Sequence, residues 1–282
     1  MDQALSTHLF INHRLTTALL DKIRRSGITA IEIFCARQHL DYRNRAQINE
    51  LRHWFADSDL KLHSLHSPMY SDDVSGRSGP QAVITITETV KAKRTVMVGE
   101  IKRAIEIAEA IPFTYSIQHF GVGGEEYDER KIDAAFTALE EISVFARQRG
   151  VEVLLENIPN AFSSSDRLCE FLAQTHLDLG FCLDTGHANL NEGVEAAFLL
   201  MRNRIRSTHI HDNDGANDSH WFPVVSPGGT IDWASTMDLF RSRPGQFPLL
   251  LEIREDAQFP QPLNVVPQIF EQLESQKPNE RE

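Results

Sequence analysis

Residues 206–221 read RSTHIHDNDGANDSHW, which places His209, His211, Asp212, Asp214, Asp218 and His220 in one short run. Imidazoles and carboxylates are the side chains that hold borderline divalent cations. Ile205, Ser207, His209 and His211 alternate with their neighbours, which is a strand pattern. Residues two apart on a strand share a face, so His209 and His211 point the same way. The continuation, DNDGANDSH, has the Asp, Asn, Gly and Ser composition of a turn. A solvated loop would account for a single histidine. A strand that delivers two same-face imidazoles into an acidic loop makes half of a metal site.

On both sides of this stretch, short apolar runs rich in β-formers alternate with amphipathic helical runs. Strands are expected at Leu5–Phe10, Ala30–Cys35, Leu60–His66, Tyr115–Phe120, Val151–Glu156, Leu179–Asp184, Ile205–His211 and Leu249–Glu252. Helices are expected near Leu15–Arg25, Arg45–Asp57, Arg94–Ala110, Glu129–Arg149, Ser165–Thr175, Val194–Arg202, Asp232–Arg241 and Pro267–Leu273. Gly27 ends the first of them. Eight such units predict the α/β class and a single (β/α)8 barrel over residues 1–282, with the tail Gln276–Glu282 frayed. The same alternation fits a doubly wound sheet. No Gly-rich phosphate loop follows the first strand, as a dinucleotide fold would need.

The chain has 282 residues, 41% of them hydrophobic, which suits a globular protein with a core. Its formal net charge of −12 argues against nucleic acid or an anionic membrane as partner. Cys35, Cys169 and Cys182 are far apart, with no CxxC, and suggest no disulfide framework. The N-terminus does not read as a signal peptide, and no apolar run approaches the length of a membrane span. A cytoplasmic location is expected, and homo-oligomerisation is left open.

The chemistry collects at the C-terminal ends of the expected strands, the face on which a barrel keeps its site. The third strand ends in His66 and the fourth in His119. The fifth ends in Glu156 and the sixth in Asp184, with His187 three residues on. The seventh ends in His209 and His211, with Asp218 and His220 in the loop after it, and the eighth ends in Glu252. Carboxylates behind apolar runs are costly to bury unless paired or bound to metal. One such ending could cap a turn, but six in register predict a metal centre. Glu32, at the end of the second strand, fits an ion-pair partner as well as a substrate contact. Trp221 and Trp233 flank the metal-rich loop as packing or pocket-lining residues. The polar run from Ser67 to about Lys93, with Asp72, Asp73, Arg77 and Lys91, reads as surface or as a lid over the barrel mouth.

The motifs LLEN (Leu154–Asn157), CLDTGHA (Cys182–Ala188), HIHDNDG (His209–Gly215) and DSHWFPVVSPGGTIDW (Asp218–Trp233) resemble those of the xylose isomerase-like TIM barrel superfamily. That group joins sugar isomerases and epimerases to apurinic/apyrimidinic endonucleases. The isomerase branch implies one divalent ion on Glu156, Asp184, His211 (or His209) and Glu252. The two glutamates would be the catalytic proton-transfer groups, and His66, His187 and Trp221 would face a small sugar-like substrate. The endonuclease branch implies up to three zinc ions on His66, His119, Glu156, Asp184, His187, His209, Asp218, His220 and Glu252. Mixed N/O ligation admits Mn, Zn, Co, Fe or Mg. The segment after His66, SPMYSDDVSGR, carries two aspartates and no basic stripe, which disfavours a phosphate backbone. The isomerase or epimerase reading is preferred on that ground. A multinuclear zinc phosphodiesterase and a non-catalytic metal-binding barrel are the alternatives.

Overall fold

A computed structural model describes residues 1–277. Among them, eight parallel strands follow in chain order: β1 (Gln3–Ser6), β2 (Ala30–Phe34), β3 (Lys61–His66), β4 (Tyr115–His119), β5 (Glu152–Glu156), β6 (Gly180–Asp184), β7 (Ile205–His209) and β8 (Leu249–Leu251). From β1 to β7 each strand pairs with the next in sequence, and β1 also pairs with β8, giving the order β7-β6-β5-β4-β3-β2-β1-β8. The ring closes between β7 and β8 through an isolated bridge, Ile210 to Leu251. There the Thr208 hydroxyl donates to Pro248 O at 2.8 Å and accepts from Leu250 N at 3.3 Å. The architecture is a (β/α)8 barrel, not the doubly wound sheet that the alternation also allowed.

The helices are α1 (Thr17–Arg25), α2 (Arg45–Ala56), α3 (Lys91–Ile105), α4 (Glu129–Arg147), α5 (Ser165–Gln174), α6 (Thr185–Asn189), α7 (Val194–Met201), α8 (Trp233–Arg241) and α9 (Pro262–Ser275). Side-chain oxygens of Thr16, Asn44 and Asp128 cap α1, α2 and α4, satisfying amides the helix leaves free. The outward faces of the strands pack on this shell, and Leu5, Ile31, Ile33, Leu65, Leu155, Phe181 and Leu183 share one hydrophobic cluster with Ile23, Ile101, Leu139, Phe198, Phe240 and Phe270. Each such side chain is fully buried, worth about 1.5–3 kcal/mol. The opposite face fills the barrel, where Ile117, Leu154 and Cys182 form a small apolar floor.

Four departures from the sequence reading have local causes. β1 stops at Ser6, and Thr7–Phe10 is a 3-10 turn. The Ser6 hydroxyl caps that turn, and Thr7 Oγ1 accepts from Phe34 N at 3.0 Å where a strand carbonyl would have done so. β7 stops at His209, because the Thr185 hydroxyl takes over the carbonyls of His209 and His211. The five-residue helix α6 was not foreseen, and Asp184 itself caps it by accepting from His187 N at 2.7 Å. The last helix starts at Pro262, earlier than expected, and contains Pro267 in its interior. The interior proline removes one helical hydrogen bond, and buried Val266, Ile269, Phe270 and Leu273 offset the loss. Gln276 and Lys277 extend from α9 without regular structure. The rest of the expected frayed tail lies outside the described residues.

The polar run after β3 is a strap tied down on both sides of the mouth. Tyr70 pairs with Val83 in an antiparallel bridge, and Ile84 N donates to Met69 O at 2.9 Å. Arg37 donates to Ser71 O at 3.0 Å, fastening one side to the loop after β2. Thr87 Oγ1 donates to Glu125 at 3.0 Å, fastening the other to the loop after β4.

Candidate metal centre

Strand register brings the polar endings together. His119 lies opposite Glu156 in the β4–β5 ladder, and Asp184 lies opposite His209 in the β6–β7 ladder. Inward residues alternate along each strand, so an apolar floor residue is followed two places later by a donor: Ile117 by His119, Leu154 by Glu156, Cys182 by Asp184.

Three donor sets draw only on the expected residues, each with facing atoms within 4.8 Å of one another, and a fourth group joins His220 and Glu252 to His8. The first is Glu156, Asp184, His209 and Glu252. His209 Nδ1 lies 3.2 Å from Glu156 Oε1, 3.3 Å from Glu252 Oε2 and 3.9 Å from Asp184 Oδ2. The second is His66, His119 and Glu156, with His66 Nε2 and His119 Nε2 only 3.2 Å apart and 3.5 and 3.1 Å from Glu156 Oε2. The third is His187, His211, Asp218 and His220. Asp218 lies 3.4 Å from His187 Nε2 and 3.3 Å from His220 Nε2, and the His211 and His220 rings stack at 4.0 Å. Glu156 belongs to the first two sets, with one oxygen toward each.

These residues fit divalent cations on two observations. Both carboxylate oxygens of Glu156, together with His209 Nδ1, are buried without a hydrogen-bond partner, a costly arrangement unless a cation receives their lone pairs. The rings are also pre-oriented as ligands. Nδ1 of His66, His187 and His220 lies 2.9, 3.0 and 2.8 Å from the carbonyls of Ser67, Asn157 and Glu252. A proton held on Nδ1 by those carbonyls leaves the Nε2 lone pair facing the site.

The loops are built to hold this geometry. The Asn157 carboxamide bonds both the amide and the carbonyl of Asp184, at 2.8 and 2.9 Å, locking the ends of β5 and β6 together. Gly186 lies against His211, and a Cβ there would fall 2.0 Å from the ring. His220 sits at φ 47, a strained conformation for a non-glycine residue, held by its contact to Glu252 O and by Arg254 N donating to His220 O at 3.1 Å.

Not every residue of the histidine-rich stretch points inward. Asp212 turns into the following loop and accepts from Asn213 N, Thr230 N and Trp233 Nε1, the last at 2.7 Å. Gly229 has no Cβ because that atom would meet Asp212 Oδ2 at 2.4 Å. Asp214 is exposed and caps its own turn. Trp221 is half-buried, pairs with Asp212 through the backbone and joins none of the three sets. His211, offered with His209 as the ligand beside Glu156, Asp184 and Glu252, instead belongs to the third set, its Nε2 3.1 Å from Asp184. Glu32 lies in the middle of β2, not at its end, and its carboxylate meets His209.

One inward residue was missed. His8 is buried, its Nδ1 has no partner, and its ring lies 4.7 Å from that of His220 and 4.7 Å from that of Phe34. The inward alternation Ser6, His8 was the available signal, obscured because Leu5–Phe10 reads as one apolar strand.

Burial and charge set the protonation of the centre. Burial alone would lower His187 and His209, but Asp184, Asp218 and Glu156 around the first, and Cys182 with Glu252, Glu32 and Glu156 around the second, hold both well above the ordinary imidazole range. Burial raises Glu156, yet His209 and His119 pull it well below the usual carboxylate value. Glu252 goes the other way, pushed well up by burial and by Glu156, Glu32 and Asp184. Because a protonated imidazole cannot ligate, loading a cation must displace the protons that His187 and His209 keep unusually long. Apparent zinc affinity is therefore expected to keep rising with pH above 7, past the point where an ordinary histidine site levels off. Chelator competition over a pH series measures this, and a flat response between about pH 7 and 8 would contradict it.

A family model described as xylose isomerase-like TIM barrel matches residues 20–275. An uncharacterized protein, y4fM, from Sinorhizobium fredii is 26% identical over 230 residues, covering 76% of this chain and 73% of that one. Among solved structures, a D-tagatose 3-epimerase-like protein is similar with a TM-score of 0.77 and 22% identity, 97% of each chain being covered. The IOLI protein with a binding zinc atom is similar with a TM-score of 0.75 and 16% identity, over 97% of this chain and 96% of that one. At these identities the two structures show the shared fold. With the family model spanning nearly all of the barrel, the chain belongs to the xylose isomerase-like TIM barrel family.

Proposed function

We propose that this protein is a divalent-metal-dependent isomerase or epimerase of a small sugar or sugar derivative. The observation that carries the proposal is the first donor set, in which Glu156 and Glu252 reach one imidazole nitrogen from β5 and from the end of β8. The ion, when bound, supplies Lewis acidity toward adjacent carbonyl and hydroxyl oxygens. The residues supply the rest. Their surroundings shift Glu156 toward the charged form and Glu252 toward the neutral form, an asymmetry suited to one carboxylate accepting a proton while the other donates. His66 and His187 stand at the rim to orient substrate hydroxyls, and the strap limits the depth of the mouth. Zinc, manganese, cobalt, iron and magnesium all suit the N/O donors.

A second reading, hydrolysis of a phosphodiester at two or three zinc ions, is favoured by the second and third sets, which a one-ion isomerase does not require. Metal analysis of the purified protein, run beside conversion assays, separates the two. About one ion per chain and interconversion of ketoses, aldoses or inositol derivatives supports the first. About three ions per chain, with chelator-sensitive cleavage of a phosphodiester and no sugar conversion, replaces it.

A further inference from the structure

Below the three sets lies a group the ion readings do not use. Glu32 is fully buried inside the barrel, yet each of its oxygens is satisfied. Its Oε1 accepts from Ser6 Oγ at 3.0 Å, and its Oε2 accepts from Ser64 Oγ at 2.8 Å. The same Oε2 lies 3.1 Å from His209 Nε2. Register explains the grouping, because Ser6, Glu32 and Ser64 are direct neighbours across β1, β2 and β3.

We propose that Glu32, held by Ser6 and Ser64, is a positioning residue that keeps the proton of His209 on Nε2 and so presents Nδ1 to a divalent cation. Three of the other rim imidazoles, His66, His187 and His220, have Nδ1 on a backbone carbonyl, although His187 Nδ1 also lies 3.3 Å from Glu156 Oε1. His209 is turned over, and its supporting acceptor is a carboxylate. A charged acceptor fixes the tautomer and makes the imidazole a stronger donor, which is how carboxylate–histidine–metal arrangements act. The hydroxyls of Ser6 and Ser64 keep Glu32 from needing a cation of its own. The geometry thus separates three carboxylates that surround Nδ1 from a fourth that works from behind the ring. The inference rests on cation binding at the first set and is independent of the reaction catalysed there.

The test compares zinc binding by the full-length protein and two variants, Glu32→Gln and Ser64→Ala. Chelator competition should show Glu32→Gln weaker by about 10–100-fold, the usual effect of losing a supporting acceptor. Ser64→Ala, which leaves the carboxylate but loosens it, should lose a few-fold in the same direction. Long-range 1H–15N spectra of the zinc-loaded wild type should show His209 with a proton on Nε2 and the metal on Nδ1. Zinc affinity in Glu32→Gln equal to wild type, with only the melting temperature lowered, would make Glu32 a core brace and overturn the proposal. If Glu32→Gln does not fold, unchanged affinity in Ser64→Ala overturns it instead. A wild type that takes up no zinc overturns the cation reading and this inference together.

Discussion

Glu156→Gln is expected to abolish ion binding at two of the three donor sets at once while leaving the barrel folded. One oxygen of Glu156 faces His209 at 3.2 Å and the other faces His119 at 3.1 Å, so it is the residue common to the first and second sets. A carboxamide keeps the volume and removes the charge, and one of its two atoms becomes a donor aimed at a would-be cation. The loss in zinc affinity should exceed the roughly 10–100-fold that removal of a supporting hydrogen bond costs. Any metal still bound should belong to the set of His187, His211, Asp218 and His220. If the protein binds one ion, the variant should bind none, and if it binds three, it should keep about one. Metal content by elemental analysis, with circular dichroism as the check on folding, reads both cases. A variant that holds its full complement would mean that Glu156 is not a ligand.

Gly186→Ala should cost about 2–4 kcal/mol and lower the melting temperature by roughly 5–15 °C, at the top of the range for overpacking a core. The added methyl would lie 2.0 Å from His211 Cε1 and 2.4 Å from Nδ1. His211 cannot retreat, since its ring stacks on His220 at 4.0 Å and its Nε2 is 3.1 Å from Asp184. Gly99→Ala is the matched control. It sits in α3 with nothing within 4 Å of its would-be Cβ, so helix propensity predicts a gain of about 0.5–1 kcal/mol. Thermal unfolding of both variants decides the point, and a Gly186→Ala protein that melts with wild type would remove the steric account.

The barrel was legible in the sequence because short apolar or alternating runs recur between helical runs, and polar donors recur at the same end of six of them. Carboxylates that close an apolar run, such as Glu156 after VLL and Asp184 after FCL, announce themselves by the cost of burying them. What escaped were features set by partners distant in sequence. The choice between His209 and His211 depends on the Thr185 hydroxyl, which ends β7 two residues early. The role of Glu32 depends on two serines in neighbouring strands. His8 was hidden because one residue after β1 the chain turns, and Thr7, not a carbonyl, receives the next amide. The run read as surface or lid is tied to the loops after β2 and β4, contacts its own sequence does not reveal.

The junction between the last two strands of the ring gives the candidate ion a second task. β7 and β8 are joined by one bridge and a threonine hydroxyl in place of a full ladder, so this is the joint most prone to breathe. His209 stands on one lip of that joint and Glu252 on the other, 3.3 Å apart. A cation gripped by both would act as a clasp, and its binding energy would count toward keeping the cylinder shut. Starving the protein of metal would then loosen the wall before it silenced the chemistry.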